Sequence, residues 1–366
     1  MADLVVAGAG MAGLVAAARA RELGAEPLVL EKGDRAGGSM LLSSGFVWRH
    51  RSLGEFHEDC PGGDLELQRL VLDGLDEALD WLESLGAPVL ERETGNPRTV
   101  GRRFDTRGLT DALVRAAADV RLREPFRDAH VLATGGFAAR LARERGLLLR
   151  ANRWSEGDGL AYGLARGADL SSGMDEFYGR NLPGEVAEGE YVGASQLYGA
   201  HALVLDDEGR PFFEGEPSWS ETDLVQATAR QPGGAAWYVV DGRALRERVR
   251  YGTVEELVER ARALGGEVRP AETLPFAVPE HPKLAEPPFL AVRVRAAVTH
   301  TIGGLRVDEG GRVLRPDGEP VGGLYAAGAD AGGIFTGGYG SGLAAALVLG
   351  RVAAETAVAE LGDAHA

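Results

Sequence analysis

The stretch LVVAGAGMAGLVAAARA, residues 4–20, decides how the chain begins to fold. Its apolar start predicts a short buried strand at Leu4–Ala7, and its alanines and leucines predict a helix that continues about three residues further. Between the two, Gly8, Gly10 and Gly13 have the spacing GxGxxG. In that spacing the first glycine permits a tight turn, the second lets the backbone approach a pyrophosphate, and the third lets helix and strand pack closely. The order strand, glycine turn, helix therefore predicts a dinucleotide site.

A second strand supports this interpretation. It is predicted at Pro27–Leu30, and it delivers an acid to the place where a carboxylate can hydrogen-bond ribose hydroxyls. The alternative is an ordinary glycine-rich turn, but the two strands, the helix and the acid together favour the dinucleotide site. The cofactor-binding candidates in this part of the chain are Gly8, Gly10, Met11, Ala12, Gly13, Glu31 and Lys32.

Two further glycine clusters indicate which dinucleotide is bound. The sequence DRAGGS at residues 34–39 resembles the extension of this fingerprint in flavoproteins of the FAD type. The sequence HVLATGGF at residues 130–137 resembles the strand that returns beside FAD in the same proteins. Each alone could be a core strand and turn, but three matches in this order favour FAD. They add the candidates Gly37, Gly38, Ser39, Ala133, Thr134 and Gly135.

Composition limits the other possibilities. The chain has 366 residues, of which 45% are hydrophobic, enough for a large core and about two domains. Its one cysteine, Cys60, excludes an internal disulfide framework, a cysteine-ligated iron–sulfur cluster and a CxxCH haem site, so we expect an organic redox cofactor and no metal. The net charge of -16 argues against nucleic acid and anionic membranes as partners.

The apolar segments do not predict a membrane span. Arg19 and Arg351 interrupt the two longest candidates before they reach roughly 18 apolar residues. The first apolar run is already the strand of the glycine motif, and no basic leader precedes it. We therefore expect a cytoplasmic protein.

Periodicity and capping signals place several helices. Helical patterns occupy Leu65–Leu85, Thr110–Ala118 and Gly159–Arg166, the last with Asp158 as its expected N-cap. Further along, Thr253 and Glu256 have the spacing of a capping box that opens a charged helix.

The chain after that helix is expected to be irregular and then to form strands. Six prolines interrupt residues 269–288, so no regular structure is predicted there. Strands are predicted at Leu290–Arg295 and Leu324–Ala327.

The C-terminal motifs carry a family resemblance. The sequences THTIGGLRVD (residues 299–308), GLYAAG (residues 323–328) and GGYGSGL (residues 337–343) resemble the closing motifs of the fumarate reductase and succinate dehydrogenase flavoprotein superfamily. Residues 209–241 resemble its capping domain, especially in the soluble tricarballylate dehydrogenase-like and ketosteroid dehydrogenase-like branches. The resemblance covers nearly the whole chain.

This resemblance implies an α/β fold. A doubly wound, Rossmann-like FAD-binding domain is expected at residues 1–175 and 297–366, with an inserted α+β capping domain at residues 176–296. It also implies an enzyme that transfers a hydride between flavin N5 and a carbon next to a carbonyl or carboxylate of a small molecule. The electron donor or acceptor is not indicated.

Four departures from the family pattern qualify these expectations. No histidine follows the second glycine cluster, so the FAD is expected to be non-covalent. Tyr339 stands where the dicarboxylate reductases have a substrate-binding arginine, and residues 219–221 (WSE) stand where those enzymes have a proton-donating arginine. Without these fixed charges, fumarate and succinate lose the basis for bidentate binding. Finally, residues 110–135 are too few for the usual β-meander, and the chain is expected to pass almost directly from helix to strand.

The resemblance assigns candidate roles near the flavin. Its catalytic candidates are His300 and Tyr339, with Arg180 or His201 as sources of the missing positive charge. The alternatives are a buried structural histidine, a tyrosine ring packed under the flavin or cap, and surface positions for the other two. The remaining cofactor-binding candidates are Asp158, Gly328, Asp330, Gly340, Ser341, Gly342 and Leu343.

Three functions remain open from the sequence. The first is a dehydrogenase or ene-reductase that acts on a small organic acid or a ketosteroid-like ketone. The others are a flavin oxidase that passes electrons to oxygen and a non-catalytic FAD-binding scaffold.

Overall fold

The computed structural model describes residues 3–365, with side chains up to Leu361, as two compact units. Unit 1 contains the chain up to Arg140, the segment Asn152–Glu176 and the chain from His300 onward. Unit 2 contains Leu141–Ala151 and Phe177–Thr299. Residues 141–151 and 297–299, predicted in the first domain, lie in unit 2, and Glu176, predicted in the second, lies in unit 1.

Strands and helices alternate along much of the chain. In order, the strands are β1 Leu4–Ala7, β2 Pro27–Glu31, β3 Phe46–His50, β4 Val89–Glu91, β5 Thr99–Phe104, β6 Asp119–Leu122, β7 Val131–Leu132, β8 Leu148–Leu149, β9 Phe177–Leu182, β10 Leu203–Leu205, β11 Ala235–Val240, β12 Arg248–Val249, β13 Gly252–Thr253, β14 Val268–Pro270, β15 Leu290–Thr301, β16 Arg312–Leu314 and β17 Pro320–Ala326. The α-helices are α1 Met11–Glu22, α2 Leu53–Asp59, α3 Leu65–Ser84, α4 Thr106–Ala117, α5 Ala138–Arg145, α6 Asp158–Ala165, α7 Thr222–Ala229, α8 Gly242–Arg246, α9 Val254–Ala263 and α10 Gly342–His365.

The main sheet of unit 1 positions the cofactor motifs. Its strand order is β16-β17-β7-β1-β2-β6, parallel except for the antiparallel pair β16 and β17. Leu4 is paired with Pro27, and Ala7 with Leu132, so the carboxyl ends of β1, β2 and β7 meet at one edge. Ligands bind at this edge in doubly wound sheets. The predicted α/β, Rossmann-like fold is confirmed.

Strand β6, between α4 and β7, was not predicted from the sequence. It pairs in parallel with β2, from Leu28 opposite Asp119 to Glu31 opposite Leu122. The chain passes from α4 to a strand after one residue, as expected, but this strand is β6 and not the one that follows residue 130. The sequence DVRL was overlooked because it is only four residues long and largely exposed, and charged residues on an exposed edge prevent further pairing.

Two helix starts also differ from their predictions. Helix α4 begins at Thr106, where the side chain of Asp105 accepts a hydrogen bond from the Gly108 amide at 2.9 Å. Asp158 is the first residue of α6 rather than its cap, because Gly157 takes the N-cap position with a left-handed φ of 88°. The Asp158 carboxylate instead forms an ion pair with Lys32.

Unit 2 is built on a sheet of strand order β10-β11-β15-β14, with β8 and β9 also paired to β15. The predicted capping box at Thr253 and Glu256 is present at the start of α9. Strand β15 runs six residues beyond the predicted Arg295, to Thr301. Its far end pairs with β8, since Ala297 lies opposite Leu148.

A buried arginine ties the segment 141–151 into unit 2. Arg150 follows β8, and its backbone amide donates to the Val298 carbonyl at 2.8 Å. Its guanidinium donates to the Tyr191 carbonyl at 3.0 Å and to the Thr299 hydroxyl at 3.2 Å. The segment is therefore held both by strand pairing and by its own side chain.

One helix in the described part of the chain, at Gly342–Leu361 in α10, has the length and apolar composition of a membrane span. The sequence analysis did not count it, because Arg351 interrupts the run. Of this stretch, 61% is buried inside the protein, and a core helix of a soluble protein has the same properties.

Candidate cofactor and active site

In the glycine turn after β1, backbone oxygens lie close to Gly8 and Gly13, whereas the space beside Gly10 is open. A Cβ on Gly8, whose φ is +103°, would lie 2.3 Å from the Ala133 carbonyl oxygen, and one on Gly13 would lie 1.9 Å from the Gly8 oxygen. At Gly10, by contrast, no described atom comes within 4 Å of a Cβ. This residue is the N-cap of α1 and provides no side-chain cap. The open space at a helix N-terminus fits a pyrophosphate.

The second glycine cluster lies beside this turn. The Gly37 amide donates to the Ala9 carbonyl at 2.7 Å, and a Cβ on Gly38 would lie 3.2 Å from the Gly10 Cα. The Ser39 hydroxyl accepts from the backbone amide of Asn152 at 3.0 Å. The structure therefore brings the two predicted clusters together around one space.

Glu31, at the end of β2, holds two turns: the glycine turn after β1 and the turn at Gly33. Its buried carboxylate accepts a hydrogen bond from the Ala9 amide at 2.9 Å and one from the Gly33 amide at 2.6 Å. A carboxylate has about four acceptor positions, so ribose hydroxyls can still donate to it. Glu31 therefore both holds the glycine turn and remains suited to the predicted ribose contact.

A cavity of about 420 Å³ opens next to Glu31 in unit 1. Its walls combine aromatic rings with the Lys32 and Asp158 ion pair. The rings of Phe126 and Tyr162 meet edge to face at 5.3 Å. The residues that line it are Gly8, Leu30, Glu31, Lys32, Pro125, Phe126, Thr134, Asn152, Trp154, Asp158, Ala161 and Tyr162. Aromatic walls beside a glycine turn fit the adenosine half of FAD.

Asp330 supports the turn that follows β7. Its fully buried carboxylate accepts from the amide and the hydroxyl of Thr134, the latter at 3.0 Å, and from the Gly136 amide at 3.2 Å. Burial raises the pKa of Asp330, although these hydrogen bonds oppose the effect. The carboxylate of this predicted cofactor-binding residue therefore holds the Thr134 turn, one wall of the cavity.

Replacing Asp330 with asparagine is expected to weaken FAD binding about tenfold, because the amide has one acceptor oxygen for groups that now donate to two. Titration of the apoprotein with FAD, followed by flavin fluorescence, measures the change. Asp317→Asn, at an exposed position of unit 1, is the matched control. Equal affinities for the two variants would contradict a supporting role for Asp330.

The last glycine cluster leads into α10. The Ser341 side chain accepts from the Ala344 amide at 3.3 Å and from the Trp48 amide at 3.4 Å, and thereby caps the helix. The Gly342 amide donates to the Tyr339 hydroxyl oxygen at 3.1 Å. The tyrosine hydroxyl therefore lies at the positive end of the helix dipole.

Aromatic rings surround this tyrosine. Starting from Trp48, successive centroids in the circuit Trp48, His50, Phe56, Phe335 and Tyr339 are 5.4, 4.7, 5.9 and 5.6 Å apart, and 6.5 Å closes it back to Trp48. Such packing restricts the position of the Tyr339 ring.

His300 lies beside the same rings. Its centroid is 6.1 Å from that of Phe335 and 6.2 Å from that of Tyr339. Burial lowers the pKa of His300 to about 4, so the imidazole is neutral at neutral pH. None of the described residues hydrogen-bonds to this ring, which leaves its nitrogens available to a ligand. The structure therefore brings His300 and Tyr339 together.

The glycine-rich loop before α10 is held by hydrogen bonds from residues 62–68, which the sequence did not indicate. The Gly62 amide donates to the Thr336 carbonyl at 3.0 Å, and the Asp64 amide donates to the Gly333 carbonyl at 2.9 Å. The side-chain amide of the buried Gln68 donates to the Ile334 carbonyl at 3.1 Å and to the Cys60 carbonyl at 2.9 Å. An isolated glutamine in a helical pattern carries no sequence signal for such a role.

The other two catalytic candidates belong to unit 2. Arg180, on β9, is buried; it donates to the Ser220 carbonyl and lies 4.8 Å from the Tyr178 ring centroid. His201 ends the short 3₁₀ turn Gly199–His201 and is partly exposed. Within the described residues, no cluster of histidine, cysteine, aspartate and glutamate is able to hold a metal ion.

Three known proteins are similar to this chain in sequence or in fold. Of the curated proteins, a probable fumarate reductase from Shewanella frigidimarina is 23% identical over 97% of this chain and 74% of its own length. The structure of a 3-ketosteroid-Δ4-(5α)-dehydrogenase from Rhodococcus jostii matches with a TM-score of 0.72 at 20% identity, over 98% of this chain and 96% of its own. The open conformation of a flavocytochrome c3 fumarate reductase matches with a TM-score of 0.68 at 21% identity, over 98% and 78%.

A family model gives the assignment. The model described as the FAD binding domain matches residues 3–126 and 108–345, which is most of the chain. Together with the relatives, it confirms the predicted resemblance to the fumarate reductase flavoproteins and the choice of FAD as cofactor. The chain belongs to the FAD binding domain family.

Proposed function

We propose that the protein is an FAD-dependent oxidoreductase that makes or removes a carbon–carbon double bond next to a carbonyl or carboxylate. The observation that carries the proposal is the meeting of Tyr339 and His300 at the N-terminus of α10. When bound, FAD supplies the hydride chemistry of such a reaction. Relatives that are named fumarate reductases and ketosteroid dehydrogenases support the same reaction class.

Tyr339 and His300 are suited to polarise a substrate oxygen. The Tyr339 oxygen accepts from the Gly342 amide at 3.1 Å, and a phenol is by its chemistry both an acceptor and a donor. The neutral His300 imidazole has one N–H donor and one acceptor nitrogen. Two neutral donors near the positive end of a helix stabilise negative charge that develops on a carbonyl oxygen.

The charges around this pair bear on the substrate class. A dicarboxylate requires fixed cations, for which arginine is suited by its planar fork, and position 339 has a phenol instead. The acid Glu176 accepts from the Gly337 amide in the same loop at 2.7 Å. We therefore propose a ketosteroid-like ketone or a small organic acid with one carboxylate as substrate, and Arg180 and His201 stay further catalytic candidates.

Reoxidation of the reduced flavin tests the proposal. The holoprotein is photoreduced without oxygen and mixed in turn with a cyclic enone, an enoate with one carboxylate, fumarate and finally air. Reoxidation by the enone or the monocarboxylate, faster than by fumarate, is the expected result. Rapid reoxidation by air alone indicates a flavin oxidase, and a flavin that stays reduced with every acceptor indicates a non-catalytic scaffold.

A further inference from the structure

A buried acid in unit 2 has no part in the function proposed so far. Glu221 directly precedes α7 and has a φ of 52°, in the left-handed region that residues other than glycine seldom adopt. Its side chain is almost fully buried. Strained backbone and a buried titratable group are both concentrated at functional sites.

The carboxylate of Glu221 is fixed by a neighbouring turn. Its Oε1 accepts from the Gly199 amide at 2.7 Å, and Gly199 begins the 3₁₀ turn that ends at His201. A Cβ on Gly199 would lie only 2.2 Å from Leu224 of α7, so the turn and the helix are closely packed. Glu221 therefore bonds directly to the turn that carries one of the catalytic candidates.

The other catalytic candidate of unit 2 contacts the same chain segment. Arg180 donates to the Ser220 carbonyl, one residue before Glu221. Burial raises the pKa of Glu221 to about 7, while the positive charge of Arg180 and the Gly199 amide act in the opposite direction. The carboxyl group therefore changes charge near neutral pH and senses Arg180 when it does.

The remaining titratable groups around Glu221 are few. From α7, the negative charge of Asp223 raises the pKa of Glu221 further. Tyr198 and, on β11, Tyr238 are fully buried, and burial raises the pKa of both phenols well above its usual value. Neither phenol ionises near neutral pH. Among the described neighbours, Arg180 is then the cation that acts on the Glu221 charge.

We propose that Glu221 is a positioning residue, whose carboxylate holds the Gly199–His201 turn and whose chain segment binds Arg180 through the Ser220 carbonyl. It thereby places both catalytic candidates of unit 2. This inference rests on the proposed function, because Arg180 and His201 have their roles only within it. The charged form is the one that binds the Gly199 amide more strongly and attracts Arg180, so positioning improves as the pH rises through about 7.

The experiment first follows the Gly199 amide by NMR in the holoprotein. Labelling tyrosine carbonyls with ¹³C and glycine amides with ¹⁵N selects the Tyr–Gly peptides, of which the sequence has five, including Tyr198–Gly199. In the wild type, the Gly199 proton is expected to shift with a midpoint near pH 7. In Glu221→Gln, which keeps an acceptor oxygen, this titration disappears. Glu214→Gln, at an exposed position of unit 2, is the matched control.

Turnover against pH is measured on the same three proteins with the acceptor that reoxidises the flavin. The wild type and Glu214→Gln are expected to gain activity through about pH 7, whereas Glu221→Gln loses this inflection and about tenfold in kcat, with little change in KM. A Gly199 amide that does not titrate in the folded wild type overturns the proposal, and so does an unchanged pH profile in Glu221→Gln. If no acceptor reoxidises the flavin, the proposed function fails, while the NMR titration still decides whether Glu221 holds the turn.

Discussion

Gly10→Ala is expected to fold normally and to bind FAD about 10 to 100 times more weakly. No described atom lies within 4 Å of the added methyl group, and the φ of Gly10 is an ordinary -80°, so the protein itself accommodates it. The methyl group instead occupies space at the N-terminus of α1, where it prevents a phosphate from reaching the amide donors. The loss of one charge-assisted hydrogen bond accounts for a change of this size.

Gly13→Ala, three residues further along the same motif, is compared with Gly10→Ala because its added methyl group has no free space. Its added Cβ would lie 1.9 Å from the Gly8 carbonyl oxygen, so the helix must move away from the turn. This variant is expected to lose thermal stability as well as flavin, because overpacking of this kind costs about 1–3 kcal/mol. Gly322→Ala is the control, since that glycine is exposed and none of the described atoms is close to its Cβ.

Flavin absorbance, thermal unfolding and FAD titration of the three variants separate these effects. Acid precipitation is expected to release the flavin into the supernatant, because no histidine follows the second glycine cluster. Full flavin occupancy and wild-type affinity in Gly10→Ala would refute the pyrophosphate position. Wild-type stability in Gly13→Ala would refute the close packing.

Tyr339→Phe is expected to lower kcat about 10²- to 10³-fold with no change in FAD affinity. The variant keeps the ring within its aromatic circuit and removes only the hydroxyl group, whose oxygen accepts from the Gly342 amide at 3.1 Å. Loss of one donor to a developing oxyanion has effects of this size. Turnover is measured with the acceptor found by flavin reoxidation.

Tyr251→Phe, at a partly exposed position of unit 2, is the control for the loss of a phenol. If Tyr339→Phe turns over as fast as this control, Tyr339 serves only to pack the site. The alternative from the sequence analysis, a ring that fills space under the flavin or cap, is then the correct one.

The sequence predicted the start of the fold well because its signals there are local. Strand β1, the turn at Gly8 and helix α1 follow from the order of glycines and apolar residues alone. The capping box at Thr253 likewise depends on residues three positions apart. Such features require no knowledge of distant parts of the chain.

Features set by tertiary contacts escaped prediction. Strand β6 forms because β2 offers it an edge, and its own alternation of polar and apolar residues extends over only four positions. Asp330 was predicted to bind the cofactor, but the sequence did not show that its carboxylate holds the turn at Thr134, because the two residues are 196 positions apart. In the sequence, Glu221 is only one of three residues that stand where an arginine was expected. Its burial and the nearby Arg180 make it unusual, and both depend on the folded structure.

The way in which segment 141–151 joins unit 2 has a consequence for the independence of that unit. A fragment of residues 177–299 would lack β8 and, with it, the strand partner of Ala297 and Val298. It would also lack Arg150, so the Tyr191 carbonyl and the Thr299 hydroxyl would lose a buried donor. Unit 2 is therefore not a module that can be cut out or transplanted as one continuous piece. Its stability depends on eleven residues, 141–151, that are separated from the rest of it by the segment Asn152–Glu176 of unit 1.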